Sequence, residues 1–148
     1  MKIDAADKWF SKCVRERANW ACERCRKWYA EGSPGLHCSH LFGRRHKATR
    51  WHPMNAFAHC YACHQYLGSN PVEFAIWAER YMSPLQVEVV RRLHLAIYKT
   101  NAELRRDIAR HYQREHASLI ERRNGGLHDR LEFEAYPGLP TLEMNGKF

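Results

Sequence analysis

Two Cys-x-x-Cys pairs, Cys22/Cys25 and Cys60/Cys63, bracket the middle of the first half of the chain, and the second pair runs directly into His64. A pair at this spacing offers two thiolates from one tight turn, so the two together match a tetrahedral four-thiolate zinc site. The competing readings are a redox pair or a disulfide. No βαβ pattern surrounds either pair, and residues 1–7 lack the apolar core of a secretory signal, so zinc is the reading adopted. Between the pairs lie His37, His40 and Asn55. Imidazoles titrate near neutrality, which suits them to move protons or to hold a divalent cation. From Gly32 through Val72 there is no Asp or Glu, whereas Arg44, Arg45, Lys47 and Arg50 fall inside that stretch. Acidic side chains would repel a phosphate backbone, and the guanidinium fork fits phosphate oxygens. A solvated charge face would read the same way in isolation.

These residues need a scaffold. The chain has 148 residues, a net charge of +8 and a pI near 9.4, a balance that favours a polyanionic partner. With 45% of residues hydrophobic and five Trp, it can bury one core, so a single compact domain with appended helices is expected. No apolar run is long enough for a membrane span, and a soluble protein of the cytoplasm is expected. Residues 4–21 read as a helix, with Asp4 as cap and Trp9, Phe10, Cys13, Val14 and Trp20 on one face. Cys13 reads as packing, Arg17 as a side chain snorkelling from that face, and Cys38 has no assignment. Residues 36–42 read as a strand, 43–53 as a long surface loop and 55–59 as the return strand. A helix follows over 62–67. Asn70-Pro71 opens another to residue 81, and a capping box at Ser83–Gln86 opens a third, with apolar residues as far as Ile97. A basic helix starts near Thr100, runs to about residue 123 and closes at Gly125-Gly126. Its acid–base spacing reads first as an exposed, self-stabilised helix, with a second DNA surface or a dimer contact as the other readings. The tail either packs back or binds a partner.

Taken together, Cys22-x-x-Cys25, Leu36-His37-Cys38-Ser39-His40, Arg50-Trp51-His52-Pro53-Met54-Asn55, Cys60-x-x-Cys63-His64 and Gly68-Ser69-Asn70-Pro71 resemble an HNH nuclease. This is the His-Me-finger, or ββα-metal, superfamily, and within it the chain is most similar to phage recombination-type NinG-like HNH proteins. The resemblance implies an α+β fold: a zinc-bound ββα-metal core with an N-terminal helix and a C-terminal helical extension. The corresponding units are 1–82, 83–124 and a tail over 125–148. It also implies a metal-dependent DNA endonuclease with a role in phage recombination or DNA processing. His40 takes the position of the general base, His64 that of a catalytic-metal ligand, and Asn55 that of the residue ordering the intervening loop. Arg44, Arg45, Lys47 and Arg50 are assigned to the nucleic-acid backbone.

One departure matters. Many members carry Asp immediately before the base histidine, and here that residue is Ser39. His37, a water on Ser39, or an acidic residue from elsewhere could replace it, and His37 is preferred. An imidazole site suits Mn²⁺, Ni²⁺ or Zn²⁺ better than Mg²⁺, so all four are candidates for the catalytic metal. The expected partner is DNA, with branched or junction DNA as the specific candidate, and a second copy docked through the C-terminal helices as another. Two rival readings stand beside the nuclease: a non-catalytic zinc-dependent DNA-binding module, favoured by Ser39, and a ribonuclease.

Overall fold

In the computed structural model, which describes residues 1–142, the first helix begins where Asp4 and Asp7 cap each other. Each side chain accepts the other's backbone N–H at 3.0 Å, a reciprocal capping box. Helix α1 (Ala5–Arg17) buries Ala6, Phe10, Cys13 and Val14 along one stripe. It stops at Arg17 rather than at residue 21. Asn19 and Trp20 take positive φ angles of 50° and 62°, which a right-handed helix cannot contain, and they turn the chain into the first cysteine pair.

Strand β1 (Leu36–His40) pairs antiparallel with β2 (Ala56–Cys60) in a two-stranded sheet, with His37 opposite His59 and His40 opposite Ala56. β1 ends before the expected Phe42 because the backbone N–H and C=O of Phe42 are both bonded to the side chain of Asn55. The segment between the strands is not the surface loop that its polarity suggests. It forms a short helix, α2 (Lys47–Arg50), and a 3-10 turn at Pro53–Asn55, with Ala48, Thr49, Arg50 and Trp51 all buried. Polar composition was misleading here because the polar groups are bonded inward rather than to water.

Helix α3 (Tyr61–Gly68) starts at the second cysteine pair and is followed by α4 (Pro71–Tyr81) and α5 (Pro84–Leu93). The Ser83 hydroxyl accepts the Gln86 N–H at 3.1 Å, as the sequence predicts. α5 ends at Leu93, however, and Ile97 beyond it is 89% exposed. Helix α6 (Ala102–Asn124) is capped by Asn101, whose Oδ1 accepts the Leu104 N–H at 2.7 Å, rather than by Thr100. It closes at Gly125, with Gly126 at φ 100° in the left-handed region, where a side chain would be strained.

Two apolar clusters meet at β2. Ala56, Ala58 and Cys60 face α1 and α6, packing with Phe10, Tyr112 and Leu119, while Phe57 faces Leu67, Phe74, Ala78 and Val87. This is the period-two alternation of a strand buried on both faces. The result is an α+β fold in which a small sheet sits between helices. α6 is not a free-standing exposed helix, since Ile108, Ala109, Tyr112 and Leu119 are buried and it packs along α1. The segment after it also returns: Phe133 enters the first cluster and Arg130 bonds Glu23. Residues 83–142 therefore share the core of the first part rather than forming units apart. Residues 143–148 of the expected tail lie outside the described residues. Among the described residues no helix is long and apolar enough to cross a membrane.

Candidate functional site

The four cysteine sulfurs of Cys22, Cys25, Cys60 and Cys63 lie within 4.8 Å of one another. Tetrahedral zinc with bonds of about 2.3 Å requires sulfurs about 3.8 Å apart, and the Cys25 and Cys60 sulfurs are 3.7 Å apart. The Cys25 N–H points at Cys22 Sγ and the Cys63 N–H at Cys60 Sγ, both at 3.5 Å. Arg24 Nη1 lies 3.4 Å from Cys63 Sγ, so a cation and two amides offset the charge of four thiolates. The donor set fits a structural zinc. Its two halves come from an isolated turn closed by the Ala21–Trp28 bridge and from the β2–α3 junction, so one ion would join them.

Glu23, inside the first turn, was not singled out by its sequence context. It is 2% exposed, accepts the Ala58 N–H and the Arg130 Nε at 2.8 Å, and accepts the Tyr81 hydroxyl at 2.9 Å. Burial alone would raise its pKa, but Arg17, Arg130 and these hydrogen bonds bring it below the ordinary value. Glu23 thus couples the cysteine turn to β2, α4 and the C-terminal segment. Arg17 is likewise no snorkelling residue. It is 1% exposed and donates to the carbonyls of Pro53 and Ala56.

His37, His40 and His64 line one cleft of about 640 Å³, with Phe10 and Arg15 from α1 and Arg44 from the inter-strand segment. The Nδ1 atoms of His37 and His64 are 3.0 Å apart. Two neighbouring ligands on one cation, each with a bond of about 2.1 Å, stand about 3.0 Å apart when they subtend a right angle. The separation is that of two adjacent ligands on a divalent ion, and equally that of a direct hydrogen bond between the two rings. Burial and the neighbouring His37 hold His64 below the ordinary imidazole pKa, in the neutral form that binds metals. Among the described residues no carboxylate joins this pair, the four cysteines being the one cluster of three or more metal-ligating groups. Ser39 is buried, its hydroxyl has no partner, and it does not line the cleft. A metal-bound water held by Ser39 is therefore not supported.

His40 Nε2 is 3.0 Å from the Arg50 carbonyl oxygen. A carbonyl only accepts, so this nitrogen carries the proton and Nδ1 is the basic one. Burial pushes the imidazole pKa down to about 4, against the smaller upward effect of the Arg50 carbonyl, so the ring is neutral at physiological pH. The segment that carries this carbonyl is itself held. Asn55, fully buried, donates to the Phe42 carbonyl at 2.9 Å and the Thr49 carbonyl at 3.0 Å, and accepts the Phe42 N–H at 2.8 Å. It joins the two ends of the inter-strand segment and fixes the residue next to Arg50.

Arg50 is a correction. Its side chain, expected at a phosphate, is 4% exposed and paired with Asp7 at 2.6 Å, with a further bond to the Lys2 carbonyl at 3.0 Å. Trp51 Nε1 donates to the same carboxylate at 3.1 Å. Burial would raise the Asp7 pKa, yet the bonds from Arg50 and the Asp4 backbone leave it lowered. Arg50 thus anchors α2 to α1, and its backbone carbonyl, not its side chain, is what meets His40. Of the other three basic residues, Arg44 lines the cleft, while Arg45 and Lys47 are exposed outside its lining, with Arg45 donating to His46 at 3.2 Å. No family model, curated protein or solved structure matches this chain.

Proposed function

We propose that the protein is a metal-dependent endonuclease of the HNH kind that hydrolyses phosphodiester bonds in DNA. The observation that carries this reading is the convergence of His37, His40 and His64 on one cleft with basic walls. The order β1, inter-strand segment, β2, α3, with His40 closing β1 and His64 on α3, is the order that the HNH resemblance implies. His40 accepts a proton from the attacking water at Nδ1 while its Nε2–H remains on the Arg50 carbonyl. Asn55 holds the neighbouring Thr49 carbonyl and so the segment that carries Arg50, and Arg44 faces the substrate phosphates. A divalent ion on His37 and His64 would supply Lewis-acid stabilisation of the phosphoryl charge and of the departing 3′ oxygen. The four cysteines hold the structural zinc. The resemblance adds a phage recombination or DNA-processing role and branched DNA as the substrate to try first.

The test is cleavage of supercoiled plasmid and of a four-way junction with Mg²⁺ or Mn²⁺, with His40→Ala as control. Cutting that needs the metal and His40, stronger in Mn²⁺, is the expected result. That among the described residues no carboxylate stands beside His37 and His64 favours one second reading, a zinc-dependent DNA-binding module without catalysis. Binding without cutting by both proteins would establish it. Product ends separate DNA-type hydrolysis from ribonuclease chemistry: attack by water leaves a 5′-phosphate, and attack by a ribose hydroxyl leaves a cyclic phosphate.

A further inference from the structure

Arg15 differs from four other arginines that the fold holds in place. Arg17 bonds two carbonyls, Arg50 pairs with Asp7, Arg123 with Glu16 and Arg130 with Glu23. Arg15 has only the Ser11 hydroxyl on its Nη1 and the Trp20 ring 5.4 Å from its guanidinium carbon. Among the described residues no carboxylate pairs with it, and its Nε is buried without a hydrogen-bond partner. Burial lowers its pKa, with only a weak contribution from Cys38 in the other direction. Taking a guanidinium out of water without an acid is unfavourable, and this one lines the histidine cleft.

The neighbours on the same wall explain what such a group can take. Lys8, Ser11 and Arg15 recur at helical spacing on α1 and all border the cleft, as does Arg44 from the opposite segment. Among the described residues the one acid in the lining, Asp7, is held by Arg50 and Trp51. Among those residues the wall is therefore a cationic surface with no free anion, on which Arg15 Nη1 donates to the Ser11 hydroxyl.

We propose that Arg15 is a phosphate-binding residue of the histidine cleft, receiving a backbone phosphate of bound nucleic acid on the α1 wall, with Lys8 and Arg44 as weaker cationic neighbours. The inference rests on the cleft being where substrate phosphate sits, as the nuclease reading has it, but not on catalysis. A guanidinium forks onto two phosphate oxygens and is desolvated at lower cost than an ammonium, so Arg15→Lys is not an equivalent exchange.

The test measures binding of a short labelled duplex and a short single strand to the zinc-loaded full chain, without Mg²⁺ or Mn²⁺, across a salt series. Arg15→Gln is expected to weaken binding about tenfold and to lower the salt slope by about one. Arg15→Lys recovers part of the affinity, and Lys12→Gln, on α1 outside the cleft lining, changes it little. Competing inorganic phosphate is expected to lose its effect in Arg15→Gln. Unchanged affinity and slope in Arg15→Gln overturns the inference, as does an equal loss in Lys12→Gln or no binding by the unaltered protein. If Arg15→Gln unfolds, Arg15→Lys decides: affinity equal to the unaltered protein at equal thermal stability overturns it. Arg15-dependent binding without cleavage sinks the nuclease reading and leaves this one standing. Metal-dependent cleavage indifferent to Arg15 does the reverse.

Discussion

The cysteine cluster and the histidine cleft share α3 yet are assembled by different means. Each cysteine pair is a local turn in which the second cysteine's amide already faces the first one's sulfur at 3.5 Å, so four residues of sequence suffice to shape each half. The cleft has no such local logic. His40 is oriented by a carbonyl ten positions away, that carbonyl by Asn55 and α2, and α2 by a carboxylate 43 residues earlier in the chain. A site built from turns can be recognised by spacing. A site built by relay depends on contacts that no spacing announces.

The sharpest way to break this comparison is to remove the ion. Thiolate–zinc binding is folding free energy in small sites. Cys60→Ser, or chelation of zinc, is expected to abolish the cooperative thermal transition and much of the circular dichroism, with about one zinc per chain lost on metal analysis. Retention of a full transition after complete zinc removal would show that the apolar clusters suffice.

Next in size is the relay's far end. Asp7→Asn leaves the Arg50 guanidinium buried without its anion, and breaking a buried pair in this way costs about 3–5 kcal/mol. Urea unfolding measures the loss, and zinc content is expected to stay at the unaltered level. Equal zinc loss in Asp7→Asn would mean that the two regions are not separable.

His40→Ala should cost about 1 kcal/mol, the worth of one hydrogen bond, while lowering any cleavage rate by a factor of about a hundred or more. Matching losses of structure and turnover would contradict its placement as a base.

The pH dependence offers a separate test. His52, whose Nδ1 accepts the Met54 N–H at 3.1 Å, is driven by burial down to about 4. Its folded pKa lies below its unfolded value of 6.5, so the unfolded chain binds the extra proton. The stability it contributes is present above about pH 6.5 and is lost as pH falls toward 4. Each such proton gives a slope of up to about 1.4 kcal/mol per pH unit. His52→Asn is expected to flatten the stability curve in that window relative to the unaltered protein, and an unchanged slope would place the titration elsewhere.

Much of this architecture is legible before any coordinates. The Asp4 and Ser83 caps, the prolines opening α4 and α5 and the closing Gly125-Gly126 all follow from short-range chemistry. The misreadings share one cause. Arg17, Glu23 and Arg50 look like surface residues by type, yet each is buried with partners brought from distant segments. Likewise, α6 reads as an exposed helix because its few apolar residues form a narrow stripe, and α1 supplies the complementary stripe that buries it.

What the sequence determined by itself is the set of groups whose geometry is local: two thiolate turns, their spacing to His64, and the order of the strands and helix that carry His37, His40 and His64. Tertiary structure alone decided which nitrogen of His40 stays basic, that Arg50 contributes its carbonyl rather than its charge, and that Arg15 is left in the cleft without an acid. The reason is the range of the forces involved. Turn and cap bonds close within a few residues, whereas the partner of a buried charge is chosen by packing across the whole chain.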